Sequence, residues 1–141
     1  MVRTYDPKLY SLVIGGVPVS GYADGTFFKA TRHSDNFTKN VGTGGEVARA
    51  HQHDRSGDFT FTLQRTSLYN DVLSTLTKSD EEANTGVVPI LVKDNVGATV
   101  CGASAAWVKK WPDEELGKDV NNREWVFEVE NFETFKGGST I

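Results

Sequence analysis

The sequence predicts a mainly β protein, an antiparallel β-sandwich or barrel with one flanking α-helix and a long projecting hairpin or loop. Apolar and polar residues alternate along most hydrophobic segments, which is typical of strands with one buried face, and about seven strands are expected. Apolar residues take helical spacing in a single segment, so folds that alternate helices with strands are excluded. A long, polar, glycine-rich stretch interrupts the strands and predicts the projection.

Length and charge limit the possible functions. The chain has 141 residues and a net charge of −4, from 15 basic and 19 acidic residues. This length fits one domain over residues 1–141. Proteins that grip nucleic acid need clustered Lys and Arg, and the acidic balance argues against that function. No segment reaches the ~20 apolar residues of a membrane helix, and no signal peptide is recognisable. We therefore expect a cytosolic product with no membrane partner.

Two long strands show the clearest alternation, near residues 58–65 and 123–133. Their apolar faces are expected in the core: Phe59, Phe61 and Leu63 in the first strand, and Trp125, Phe127 and Val129 in the second. Their polar faces are expected to stay wet: Thr60, Thr62 and Gln64 in the first strand, and Glu124, Glu128 and Glu130 in the second. We expect these strands to leave polar faces and edges that pairing with neighbouring subunits would satisfy.

The remaining elements follow from turn signals and from one change of period. Residues 9–19 predict an opening hairpin with its turn at Gly15-Gly16. Strands are predicted at residues 27–32, 87–92 and 98–108, the last two joined by a turn at residues 94–97. From Ser67 the apolar spacing becomes helical and predicts an amphipathic helix over residues 67–78, capped by Thr66 or Ser67. Residues 112–120 form an acidic loop.

Residues 32–55 are the predicted arm. They form either a disordered loop or a long hairpin held by a partner, and the alternation that follows favours the hairpin. The glycines near residue 44 lack the strand, helix and lysine of a phosphate-binding loop, so they fit a hairpin tip better. The arm residues expected to contact other subunits or rings are Thr43, Gly44, Gly45, Glu46, Arg49, His51 and His53.

Catalytic and metal sites are not expected. His51 and His53 share one strand face and could hold a transition metal, but two or three ligands on an arm fall short of a site. Polar interface residues explain them better. Glu128 and Glu130 lie on a regular strand rather than over a pocket, and no nucleophile turn is recognisable. We expect no enzyme, no cofactor and no bound metal.

Six short segments carry a combined pattern that is typical of one family: residues 10–22, 44–49, 54–58, 64–67, 70–73 and 123–125. Through them the chain resembles the tail tube proteins of contractile-tailed (myovirus-type) bacteriophages over most of its length. No role for the acidic loop follows from the resemblance.

The resemblance implies a subunit that assembles into hexameric rings, with the rings stacked into a hollow tube inside a contractile sheath. The arm would reach a neighbouring ring or subunit. Implied partners are the protein itself, the sheath protein, the tape-measure protein and baseplate or initiator proteins. DNA would pass through the lumen without specific binding. The location would be the virion tail, after assembly in the host cytoplasm.

A lumen that carries DNA should not attract it, so its lining is expected to be uncharged or acidic. We expect Thr60, Thr62 and Gln64 there with one or both of Glu128 and Glu130, although the opposite assignment, with the Glu side chains toward the sheath, stays open. Alternatives in function are the tube of a contractile secretion system or tailocin, and a soluble β-sandwich that binds a metal or ligand.

Overall fold

The computed structural model describes residues 2, 10–23, 25–95 and 100–137, and over these ranges it contains ten strands and one helix. In chain order they are β1 (Tyr10–Ile14), β2 (Val17–Pro18), β3 (Phe28–Arg32), β4 (Phe37–Val41), β5 (Val47–His51), β6 (Gly57–Leu63), α1 (Tyr69–Ala83), β7 (Val88–Asp94), β8 (Val100–Lys110), β9 (Arg123–Val129) and β10 (Glu133–Phe135). Leu9, the second half of the predicted turn at residues 94–97 and the first two residues of the strand predicted at 98–108 lie outside the described residues.

Eight strands form one antiparallel sheet, in the order β2-β1-β7-β8-β9-β6-β3 with β10 also beside β8. β4 and β5 form a separate hairpin. One cavity of about 380 Å³ is lined by Leu12 of β1 and Phe28 of β3, which lie near opposite ends of the strand order. The sheet therefore curls into an open barrel. The predicted mainly β antiparallel fold, with a helix and a projecting hairpin, is confirmed.

The core lies inside this curl. β6 alternates buried and half-buried residues along its whole length, because its apolar side chains all point inward. The rings of Phe61 and Phe127 meet edge to face with centroids 5.7 Å apart, and Phe28 packs against Phe61 from the other neighbouring strand. Tyr69 and Leu73 of α1 join the same cluster, so the helix covers part of the barrel.

The opening hairpin has the predicted turn. Ile14 faces Val17 in register, which leaves Gly15 and Gly16 as a two-residue loop. Their φ angles are 59° and 86°, and two positive φ angles in succession define the turn that suits the twist of a hairpin. A side chain at either position would be strained.

The helix is longer than predicted, running over Tyr69–Ala83 rather than residues 67–78. The polar residues after Lys78 continue the helix with most of their side chains in water. It ends at Asn84, whose φ of 56° is left-handed and whose N–H donates to the Asp80 carbonyl. At the start, the Ser67 hydroxyl accepts from the Tyr69 N–H at 3.3 Å.

The predicted final strand over residues 123–133 is interrupted. β9 ends at Val129, and β10 resumes the same register along β8 from Glu133. Between them the Phe132 N–H donates to the Arg55 carbonyl at 2.7 Å, and the Phe132 ring packs edge to face on Phe59. Burial of this ring inside the barrel breaks the alternation.

The expected location of the sheet edges is wrong. β6 lies between β3 and β9, and β9 lies between β6 and β8, so both long strands are interior. Within the described residues, the strands that pair on one side only at the two ends of the sheet are β2 and β3. The alternation identifies long strands but not their neighbours, which depend on tertiary strand order.

Candidate assembly surfaces

The predicted arm is a hairpin. All ten residues of β4 and β5 are exposed. Val41 faces Val47 at the tip, where the Gly42 N–H donates to the Glu46 carbonyl at 2.8 Å. Gly45 has a φ of 83°, a conformation that glycine adopts without strain. Thr43, Gly44, Gly45 and Glu46 therefore lie in the turn, the part of the arm farthest from the barrel.

The two faces of the hairpin differ in chemistry. Residues directly opposite each other share a face. One face carries the large apolar and cationic pairs Phe37 with His51, Lys39 with Arg49 and Val41 with Val47, and the other carries the small or neutral pairs Thr38 with Ala50 and Asn40 with Ala48. We call the first of these the cationic face.

Stacking organises the cationic face. The Arg49 guanidinium lies 4.1 Å from the Phe37 ring centroid, in cation–π geometry. Phe37 stacks on His51 at 5.1 Å, and His51 contacts His53 at 4.6 Å. The predicted arm residues Arg49, His51 and His53 thus belong to one continuous aromatic and basic row.

The root of the arm is tied down by polar contacts centred on His33. Its Nδ1 lies 3.1 Å from Ser56 Oγ, and its Nε2 lies 3.1 Å from Asp58 Oδ1. The Ser56 hydroxyl and the Ser56 backbone N–H both donate to Asp54. These two hydrogen bonds, with a third from Ser34, hold the pKa of the Asp54 carboxyl below its usual range. Sequence analysis missed this network. Polar residues at both ends of the arm were the only signal.

The outer face of the barrel carries the predicted lumen residues. Thr60, Thr62 and Glu128 are half-buried on this face, and Gln64 and Glu130 are exposed. The register places Thr60 between Lys29 of β3 and Val126 of β9.

The same face carries charges that sequence analysis missed. Asp58 lies opposite Glu128, and it pairs with His33 and with Lys109, whose Nζ is 3.7 Å away. The Lys109 contact offsets part of the Asp58 charge. The face also carries the glutamates of β9 and, opposite Thr60, the exposed cation Lys29.

The predicted core residues lie on the inner face of the same strands. Phe59, Phe61, Leu63 and Phe127 are fully buried, and Trp125 is 1% exposed.

The acidic loop of residues 112–120 lies at the opposite end of the β6–β9 ladder from the arm. Glu114 holds it in place by pairing with Arg65 and, at 3.2 Å, with Arg123. The hydrogen bond from Arg65 is the main reason that the pKa of Glu114 is lowered. Arg65 Nη1 also donates to the Glu115 carbonyl at 3.0 Å. The loop is thus fastened to the barrel while most of its side chains face solvent.

Within the described ranges, no three His, Cys, Asp or Glu side chains are grouped closely enough to hold a metal ion. The helix is also too short and too polar to cross a membrane.

This fold is also found in solved chains of contractile injection systems. It is similar to the tube-terminating cap of the anti-feeding prophage, with a TM-score of 0.64 at 8% identity over 96% of this chain and 93% of that one. It is also similar to a chain of the PVC extracellular contractile injection system sheath–tube complex in its extended state, with a TM-score of 0.60 at 10% identity over 94% and 91% of the two chains.

The family follows from sequence. Residues 14–137 match the family model of the bacteriophage PhiTE tail tube protein, and the chain belongs to this family. A curated relative, "Structural protein ORF10" of Pseudomonas phage KPP10, is 28% identical over 144 residues, covering 96% of this chain and 83% of the relative. The predicted resemblance to phage tail tube proteins is confirmed, and the protein is a structural component of a phage tail.

Proposed function

We propose that this protein polymerises as stacked hexameric rings into the inner tail tube through which phage DNA is delivered. The observation that carries the proposal is that a member of a tail tube family has a fully exposed hairpin and a sheet whose end strands, within the described residues, pair on one side only. Backbone groups at such edges are ready to pair with another chain. Copies of the same subunit are the natural partners.

Lateral contacts within a ring would use the edges of the curled sheet. β3 at one end of the strand order meets the β1–β2 hairpin of the next copy in this arrangement. A heterologous contact of this kind closes into a ring when the rotation per subunit divides a full turn. The individual sheets would then merge into one continuous barrel.

The lumen would be lined by the outer face of the barrel, including Thr60, Thr62 and Gln64 with Glu128 and Glu130. Each luminal carboxylate would recur once per subunit around the ring. The resulting acidic collars would repel DNA, with an effect limited by a Debye length of about 8 Å at physiological salt. DNA would pass without being held.

The same proposal assigns the protein no catalytic role and no cofactor. His33 contacts Ser56 through one ring nitrogen and Asp58 through the other, which is the order of contacts in a catalytic triad. The Ser56 hydroxyl, however, donates its proton to Asp54 at 2.6 Å. A serine nucleophile must give its proton to the histidine, so this network supports the arm root instead.

Sheath, tape-measure and baseplate proteins would be the heterologous partners, met as the tail assembles in the host cytoplasm.

Negative-stain electron microscopy of the purified protein tests the proposal. We expect hollow filaments or annuli, with six-fold symmetry in end views. A compact monomer that never polymerises, even with tail initiator proteins as seeds, would contradict it.

The likeness to injection-system structures favours one second candidate, the tube of a contractile injection system. Genes for capsid and tail-length proteins beside this one would decide for the phage.

A further inference from the structure

We propose that the cationic face of the hairpin docks on the acidic loop of a second copy in the adjacent ring. The acidic loop, residues 112–120, thereby acquires a role as the receiving surface for the arm. This inference rests on the proposed stacking of rings and adds which two surfaces meet.

The two cations of the cationic face have no carboxylate partner among the described residues. Among the described residues, neither Lys39 nor Arg49 makes a salt bridge. No carboxylate lies on the strands of this face, since the arm's Glu46 is in the turn. The aliphatic side chains beside these cations, Val41 and Val47, are 58% and 66% exposed. A sheet face whose cations lack carboxylate partners, and whose aliphatic groups are exposed, fits a partner that is acidic and partly apolar.

The acidic loop has this complementary chemistry. Glu114 is occupied by two arginines, but Asp113, Glu115 and Asp119 make no salt bridge within the part of the chain that the structure describes. All three are exposed. Leu116 and Val120, between and beside them, are 83% and 71% exposed. Acidic and aliphatic groups therefore lie side by side on the loop, which carries one cation, Lys118, among its four carboxylates.

A cavity at the base of the loop can receive a side chain. It has a volume of about 300 Å³, and its lining includes three carboxylates, Asp113, Glu115 and Glu124, and two cations, Arg65 and Lys110. Arg65 is already paired with Glu114, so a lysine or arginine that enters the cavity meets more carboxylates than unpaired cations. Contact of this kind fixes register as well as adding attraction.

Position in the fold makes the contact intermolecular and directional. Gly57, next to the arm root, pairs with Val129, while Leu63 at the other end of β6 pairs with Arg123, next to the loop. Six steps of ~3.4 Å separate the two ends by roughly 20 Å. A contact between opposite ends of two copies repeats without closing, and such repetition builds a filament. Glu128 and Glu130 are not an alternative docking site, because the proposed function places them in the lumen.

Charge exchange is the decisive experiment. The hairpin variant Lys39→Glu with Arg49→Glu should form rings but few tubes, raising the critical concentration for tube formation by at least about tenfold. The loop variant Asp113→Lys, Glu115→Lys and Asp119→Lys should show the same defect. The combined variant should recover tubes, as judged by sedimentation and by tube length in negative stain. Every altered side chain is exposed, and circular dichroism verifies folding.

A matched control removes the same number of carboxylates elsewhere. Asp71→Asn, Glu82→Gln and Glu133→Gln change three exposed acids outside the loop and should leave tube length unchanged. Unaltered tubes from the loop variant, or failure of the combined variant to recover while wild-type tubes form, would overturn the docking site but not the tube. Absence of tubes from wild-type protein would count against the proposed function itself.

Discussion

Trp125 of β9 donates its indole N–H to the side-chain oxygen of Asn70 in α1 at 3.0 Å, and both residues are buried. The Asn70 amide nitrogen in turn lies 3.0 to 3.2 Å from the carbonyls of Gln64, Arg65 and Ser67. One side chain thus satisfies the buried indole and organises the turn that leads from β6 into the helix. A buried polar group that is fully paired fixes the position of the helix on the barrel.

Replacing Asn70 with Ala should therefore lower the free energy of unfolding by about 1 to 3 kcal/mol, because the Trp125 N–H and the turn carbonyls lose their partner. Urea denaturation of the unassembled subunit measures the change. Asn122→Ala is the matched control, since Asn122 is exposed, and it should be nearly neutral. Equal stabilities for the two variants would show that the Asn70 contacts do not hold the helix.

Shortening the arm should leave a folded subunit that forms no long tubes. Thr38 faces Ala50 in register, so replacing residues 39–49 with a short turn such as Asn-Gly removes the outer hairpin without straining its base. Thermal unfolding should change little, because the arm is exposed along its length. Electron microscopy then measures tube length.

Substitutions on the opposite hairpin face are the control for this deletion. Thr38→Ala and Asn40→Ala keep the arm and its cationic face and should give tubes of normal length. Tubes of normal length from the shortened arm would mean that it does not connect rings.

The sequence pattern was sufficient for elements in which one physical rule acts alone. β6 alternates without interruption, and its predicted inner and outer faces are those observed. The Gly15-Gly16 turn and the arm hairpin also follow from local backbone preferences. β8 shows the limit: its buried residues shift from Cys101 and Ala103 to Ala106 and Val108 across a bulge opposite β7. A bulge of this kind is stabilised by the neighbouring strand and leaves no periodic signal.

The candidate assembly surfaces also include features that the sequence pattern predicts and features that depend on tertiary structure. The cationic row on the hairpin could be read from strand alternation, because Lys39 and Val41 share one parity. His33 was missed because its contact with Asp58 joins residues on either side of the arm, and only the β3–β6 pairing brings them together. The edges of the sheet were missed for the same reason, since strand order is a tertiary property.

Changing Glu128 and Glu130 to Lys should permit assembly but reduce infectivity, because a cationic collar in the lumen would bind the DNA backbone. Virions that carry the double variant should show normal tails by microscopy and a lower number of plaques per particle. Glu82→Lys on the exposed side of α1 is the control for added positive charge and should not affect infection. Unchanged infectivity of the double variant would move these carboxylates out of the lumen.

Acid should release the loop through Glu114. The two arginines beside it lower its pKa from the ordinary 4.5, so the folded state favours the ionised carboxylate. The resulting stabilisation is present above pH 4.5 and is lost as the pH falls through the lowered pKa of the folded state. NMR spectra of the subunit should show the amides of residues 112–120 shifting together in this acid range. In Glu114→Gln the loop should already be released at neutral pH, and its amides should not respond to acid through this group. An identical acid transition in both proteins would assign the loop's attachment to contacts other than the Glu114 carboxylate.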